Sequence, residues 1–184
     1  MSRRKAEANR SLPFSGASPG GSHSIMRTLA IDPTTSGFGF VVLEGSERLV
    51  DWGLGRLERP EDALFQKRIE KLLDRTAPQL LILEDMHDSR RGERAIAWAR
   101  LAQMCAAKRG IQIEKVSRRE VSEHFASSGK TRWEVGLAIS RFFPELAPSL
   151  PKKRRIWESE DRRMAIFSAA SIALTFLRRA ERKY

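Results

Sequence analysis

Cysteine is nearly absent: Cys105 is the only one in 184 residues. A lone thiol forms no disulfide within the chain, and a cysteine-based zinc site is all but excluded. The scarcity points to a reducing compartment, the cytoplasm. No apolar run approaches the ~20 residues needed to cross a bilayer. The basic start MSRRKAEANR is followed by no apolar stretch of the kind that makes a secretory signal. No internal repeat is apparent, so solenoid and propeller architectures drop out.

Acidic charge is in deficit. Asp and Glu number 23 against 34 Lys and Arg, a net charge of +11 and a pI of about 10.6. Such an excess fits a polyanionic partner, most often nucleic acid. It is not confined to a tail: residues 1–24 hold four basic residues and Glu7, a net +3, which leaves +8 on the other 160. Those first 24 residues mix Ser, Gly, Pro and basic side chains without periodicity and read as a disordered arm, with Met26 an alternative start. Hydrophobic residues make up 41% of the chain, enough for one core, so residues 25–184 read as a single domain.

The pattern along that domain is βββαβαβααα. Thr28–Asp32, Phe38–Leu43 and Leu49–Leu57 read as strands, the last two joined as a hairpin. A helix opens at Pro60-Glu61-Asp62 and stops before Pro78. Gln79–Glu84 is a short unbroken apolar run, as expected of a strand covered on both faces. A helix over Glu93–Lys108, a strand over Ile111–Val116 and a short helix capped by Ser117 and Glu120 follow. Helices over Thr131–Phe143 and from about Glu158 to Arg182 complete the chain, separated by a Pro-rich basic connector. Strands that alternate with helices add in parallel. The fold class is therefore α/β, with a five-stranded mixed sheet flanked by helices.

Two acids stand where acids are rare. Asp32 ends one apolar strand and Glu84 ends another, both at the edge where open α/β sheets carry their sites. If those strands are neighbours, the carboxylates converge. Glu158 and Asp161 are three residues apart and would share a face of the final helix; Glu160 is the alternative to Glu158. Each acid alone has a plain structural explanation, as a turn residue, an arginine partner or a helix N-terminal acid. Together they make four hard oxygen donors without a His or Cys cluster, a set that suits Mg²⁺, with Mn²⁺ as substitute. Such a site holds two ions about 4 Å apart for phosphodiester hydrolysis.

Four stretches carry a resemblance. IDPTTSGFGFVVLEG resembles the first motif of RuvC-type Holliday junction resolvases, and LILEDMHD with RRGERAIAWARLAQMCAAKRG resembles their second acidic strand and next helix. SSGKTRWEVGLAISRFF resembles their basic loop and helix, and ESEDRRMAIFSAASIAL their final paired-acid helix. The order is preserved over roughly residues 27–178. Departures are Thr34, where the family usually has Gly, and Glu158, where it usually has Asp. The resemblance implies an RNase H-like fold, a metal-dependent endodeoxyribonuclease activity on four-way DNA junctions, and a homodimer with two sites. It implies catalytic and metal-holding roles for Asp32, Glu84, Glu158 and Asp161, and a DNA-contacting, catalytic role for Lys130 with Arg132 beside it.

Other cations read as phosphate contacts that position DNA: Arg90, Arg91, Arg94, Arg118, Arg119 and the run Lys152, Lys153, Arg154 and Arg155. His87 reads as a DNA contact or a lone surface histidine. Trp98, Trp133 and Trp157 read as core or interface. The stripe Ile96–Cys105 beside Trp98 is the candidate dimer face. Rival readings are a different RNase H-like nuclease acting on RNA, a nucleic-acid-binding protein without catalysis, and a sugar-kinase or actin-like ATPase. The last needs a second domain and a second phosphate loop, which this chain lacks.

Overall fold

The structure, a computed structural model, describes residues 26–87 and 91–181. The arm read at residues 1–24 lies outside the described residues, as does Arg90. Five strands form one sheet: β1 (Arg27–Thr34), β2 (Gly37–Glu44), β3 (Arg48–Arg56), β4 (Leu80–Glu84) and β5 (Gln112–Val116). Their spatial order is β3-β2-β1-β4-β5. The first three pair antiparallel as two hairpins. β4 joins β1 in parallel and β5 joins β4 in parallel. The mixed sheet expected from the alternation of elements is thus present.

Helices cover both faces. α1 (Asp62–Thr76) and α2 (Glu93–Ala107) lie on one; α3 (Arg118–His124), α4 (Arg132–Phe142) and α5 (Met164–Glu181) lie on the other, with a 3₁₀ turn at Pro144–Ser149. The period-2 alternation of β1 and β4 sorts their side chains. Leu29, Ile31, Leu81 and Leu83 pack towards α1 and α2, while Ala30 and Ile82 pack towards α5. All are buried, which is why these strands read as unbroken apolar runs. By the same alternation Asp32 and Glu84 belong to the α5 face.

Of the two readings of Trp98, core and interface, the structure selects the core: it is fully buried, stacked on Phe65 with ring centroids 4.5 Å apart, and its Nε1 donates to Asp62 at 2.7 Å. A polar handle satisfied inside the fold makes it a clamp between α1 and α2. The final helix begins at Met164, not at Glu158. The Asp161 carboxylate accepts the Arg163 backbone N–H at 2.9 Å, and Met164 N–H bonds the Asp161 carbonyl at 3.0 Å. Asp161 therefore starts the helix from outside it, a position that short acidic side chains favour over the helix interior. Glu158 and Asp161 consequently do not share a helix face.

Gly39 brings the start of α5 to the sheet. It pairs with Asp32 across the β1–β2 hairpin, and a Cβ built on it would stand 2.2 Å from the Ala165 backbone. Only a residue without a side chain lets α5 lie against the strand at that level. Gly39→Ala should therefore cost about 3 kcal/mol, the upper end of overpacking penalties. Gly92→Ala, where a Cβ meets open space, should stay within about 0.5 kcal/mol of the parent. Urea unfolding monitored by circular dichroism measures both; equal midpoints for the two variants would remove the close-approach role of Gly39.

Candidate active site

The parallel β1–β4 register pairs Ile31 with Leu83, so the next residues on each strand, Asp32 and Glu84, sit side by side. Both side chains are almost wholly buried, at 2% and 6% exposure. Two buried carboxylates so close require compensating charge. Arg91, which precedes α2, supplies it. One of its terminal nitrogens, Nη2, stands 2.5 Å from Asp32 Oδ1 and 2.7 Å from Glu84 Oε2. Its other terminal nitrogen donates to the Pro33 carbonyl at 2.8 Å. Arg91 is itself only 12% exposed, so it is an internal counter-ion and not the phosphate contact expected from the sequence.

Arg118 at the start of α3 donates to Glu84 Oε1 at 2.6 Å from the solvent side. Arg132, the first residue of α4, lies 3.7 Å from Asp32 Oδ2 and also contacts Glu160 and Ser168. Asp32 Oδ2 is buried and accepts no hydrogen bond. Burial pushes the Asp32 carboxyl above the ordinary aspartate range; Arg91 and Arg132 pull it back, and Glu84 adds to the rise. The Arg91 guanidinium gains the reciprocal benefit: burial opposes its charge, but Asp32 and Glu84 hold its pKa up.

The remaining acids divide. Glu160 reaches the pair's neighbourhood through Arg132, which it shares with Asp32. Asp161 is paired with Arg163 at 2.7 Å, and this hydrogen bond lowers its pKa. Glu158 turns back on the connector, where it accepts the Arg155 backbone N–H at 2.8 Å. The structure thus brings Asp32 and Glu84 together, links Glu160 to them through an arginine, and leaves Glu158 and Asp161 apart. Among the described residues no three His, Cys, Asp or Glu side chains form a ready metal cage. Asp32 and Glu84 nonetheless fit a hard divalent cation: both are oxygen donors, one buried oxygen lacks a donor, and the pair already demands positive charge.

A cavity of about 340 Å³ opens beside the pair, lined among others by Glu84, Arg91, Arg118, Lys130, Arg132 and Ser168. Lys130 is placed there by the loop before α4. Gly129 adopts φ +151° against Glu134, and Glu134 accepts the backbone N–H groups of Lys130 and Thr131 at 2.9 and 3.0 Å. Thr131 and Glu134 form a capping box for α4, as Ser117 and Glu120 do for α3. Arg119 is exposed and paired with Glu123 at 2.8 Å. Arg94 is exposed and reaches the Thr35 carbonyl at 3.4 Å. Lys152, Lys153, Arg154 and Arg155 are all exposed. His87 is exposed near the end of β4, and its backbone N–H bonds the Asp85 carboxylate.

One residue beside the pair is not visible as a site residue from the sequence, and one has a role other than the one expected. Ser168, a small residue on α5, touches Arg132. The counter-ion role of Arg91 had a signal, since an arginine just before a helix that starts at the acidic strand edge stands beside both carboxylates.

No family model matches the chain. In a curated relative, the crossover junction endodeoxyribonuclease RuvC of Streptomyces avermitilis, 139 residues align at 29% identity, covering 68% of this chain and 79% of that protein. A solved structure of Thermus thermophilus RuvC superposes with a TM-score of 0.63 at 18% identity, over 86% of this chain and 97% of that one. A second, Thermus thermophilus RuvC in complex with Holliday junction substrate, also superposes at 0.63, with 20% identity over 85% and 96%. The resemblance to RuvC-type proteins read from the four motifs is thus carried by sequence and by fold, and the fold is RNase H-like.

Arg91→Gln should destabilise the protein by about 3 kcal/mol in metal-free buffer at neutral pH, the usual cost of breaking a buried ion pair. The pH dependence follows from Asp32. Its folded pKa lies above the unfolded 3.8, so ionising it opposes folding. That opposition is full above the folded value and is relieved as pH falls through it towards 3.8. The deficit of Arg91→Gln should therefore shrink on acidification. A deficit independent of pH between 8 and 4 would contradict the counter-ion role.

Proposed function

We propose that this chain is a divalent-metal-dependent endonuclease that nicks branched DNA, resolving four-way junctions as a homodimer in the cytoplasm. The observation that carries the reading is the buried Asp32–Glu84 pair at the ends of two adjacent parallel strands, opening on a cavity lined by cations. The relative named a crossover junction endodeoxyribonuclease and the neighbour solved with a Holliday junction substrate support the choice of substrate.

Asp32 and Glu84 would hold Mg²⁺ or Mn²⁺, with an acid from the segment before α5 completing the set; of Glu158, Glu160 and Asp161, Glu160 is the one already tied to Asp32 through Arg132. Bound there, such ions lower the pKa of water and stabilise the leaving oxygen of a phosphodiester. The chain's own cations orient the substrate. Lys130, Arg118 and Arg132 border the cavity, where they bind the scissile phosphate and offset the charge that develops on it. Arg119 and the run from Lys152 to Arg155 contact flanking phosphates, which fixes register without reading bases. Two symmetric nicks need two sites, and a two-fold dimer supplies them. With Trp98 buried, the α2 stripe retains only Met104, 55% exposed, as a strongly exposed apolar residue.

A substrate panel tests the reading. Four-way junctions, flaps, RNA–DNA hybrids and plain duplex are each incubated with the protein and Mg²⁺. Paired symmetric nicks confined to junctions are expected; cleavage of hybrids alone would transfer the protein to the RNA-processing nucleases of the same fold, and binding without cleavage to the inactive class.

Asp32→Asn and Glu84→Gln keep shape and delete charge. Each should lower nicking by about 10³-fold or more, since two-metal chemistry supplies several kcal/mol of stabilisation, while junction affinity is retained. Of Glu158→Gln, Glu160→Gln and Asp161→Asn, the largest loss should fall on Glu160→Gln. Single-turnover rates on a labelled junction decide this, and an unimpaired Glu160→Gln would return the role to its neighbours.

A further inference from the structure

The connector between the 3₁₀ turn and α5 carries the two most exposed large hydrophobic side chains described: Ile156 at 96% and Trp157 at 77%. Of the core or interface expected for Trp157, the structure excludes the core. The segment that presents them is a built turn. Glu158 N–H bonds the Arg155 carbonyl at 3.1 Å, the Glu158 carboxylate accepts the Arg155 N–H, and Arg154 donates to the Glu158 carbonyl at 2.7 Å. Its base is anchored by Trp133, whose Nε1 donates to the Pro151 carbonyl at 2.9 Å. Glu158 thus has a role distinct from metal binding, closing the turn that holds the tip.

An aromatic ring left in water forgoes the ~25 cal/mol per Å² its burial would contribute. The charge around it says what covers it. Lys152, Lys153, Arg154 and Arg155 immediately precede the tip, and the Arg155 guanidinium lies over the Trp157 ring at 5.7 Å. A partner that is both anionic and flat satisfies both features, and unpaired nucleobases on their phosphate backbone are such a partner. A cavity of about 330 Å³ is bordered by Trp133, Lys153 and Ile156 and also by Arg132, Glu160 and Asp161. Arg132 in turn lies 3.7 Å from Asp32, so Ile156 shares a cavity with a residue of the acidic pair's surroundings.

We propose that Ile156 and Trp157 form a stacking tip that engages unpaired bases of a nucleic-acid strand next to the cleavage site, with Lys152 to Arg155 holding its phosphates. The proposal rests on the nuclease reading for its substrate, but not for its chemistry: base stacking needs no metal and no catalysis.

The test uses the full chain in chelator, so that nothing is cut. A four-way junction, a matched duplex, and an unstructured oligothymidylate are titrated with the parent, Trp157→Ala and Trp157→Phe. For the parent, tryptophan emission should be quenched both by the junction and by oligothymidylate. Trp157→Ala should bind the junction and the oligothymidylate roughly ten-fold more weakly, the loss of one stacked base, with duplex affinity unchanged. Trp157→Phe should retain binding but lose the quench. Equal affinities of parent and Trp157→Ala for the unpaired substrates would overturn the proposal, as would a uniform loss that includes duplex. Sedimentation showing that Trp157→Ala abolishes self-association without changing oligothymidylate affinity would overturn it in favour of a second copy of the chain. Quenching on oligothymidylate with no preference for the junction would keep the stacking tip and overturn the junction reading alone.

Discussion

Two carboxylates buried beside each other cannot stand without a cation, and the rest of this site is arranged around that demand. Asp32 and Glu84 are brought together by backbone pairing between β1 and β4, which is indifferent to their mutual repulsion. Arg91 meets the demand from one side, with a single guanidinium nitrogen bonded to both. Arg118 and Arg132 approach from the other. Even so, burial keeps the Asp32 carboxyl above its ordinary range. With one buried Asp32 oxygen accepting no hydrogen bond, the pair is suited to take up a small hard cation, which concentrates charge better than a guanidinium shared between two acids.

The scaffold keeps the pair in place at modest cost. Apolar side chains alternate onto both faces of β1 and β4 and bury the strands on each side, so the acids at their ends have little freedom to move apart. Gly39, opposite Asp32, removes the side chain that would hold α5 away. Capping boxes on α3 and α4 orient the two helices that present Arg118 and Arg132. Basic surface and acidic centre are therefore positioned by different elements that meet at Arg118 and Arg132.

The strands and their acids were legible because burial leaves unbroken apolar runs, and a carboxylate at the end of such a run stands out. The element order followed from turn residues and caps, and the Ser117 capping box could be read directly. Three things were not legible. The start of α5 was misplaced because Asp161 is equally at home within a first helical turn or just outside it, and local propensity does not separate the two. Core and interface stay open for Trp98 because an apolar helix face does not reveal which neighbour covers it; stacking on Phe65, from a different helix, is a tertiary fact. Core and interface stay open for Trp157 too, because aromatic residues are covered on average, and only the turn closed by Glu158 shows that it is not core. The ends of two apolar strands marked Asp32 and Glu84 as neighbours, but nothing local tells which of Glu158, Glu160 and Asp161 is tied to Asp32.

The central claim is that the Asp32–Glu84 pair is a divalent-cation site which Arg91 occupies by charge in the metal-free protein. Electron paramagnetic resonance of Mn²⁺ titrated into metal-free protein, without nucleic acid, measures this directly. The account predicts saturable binding by the parent, loss of that binding in Asp32→Asn, and tighter binding in Arg91→Gln, where the competing cation is gone. Identical Mn²⁺ binding by the parent and Asp32→Asn would contradict it.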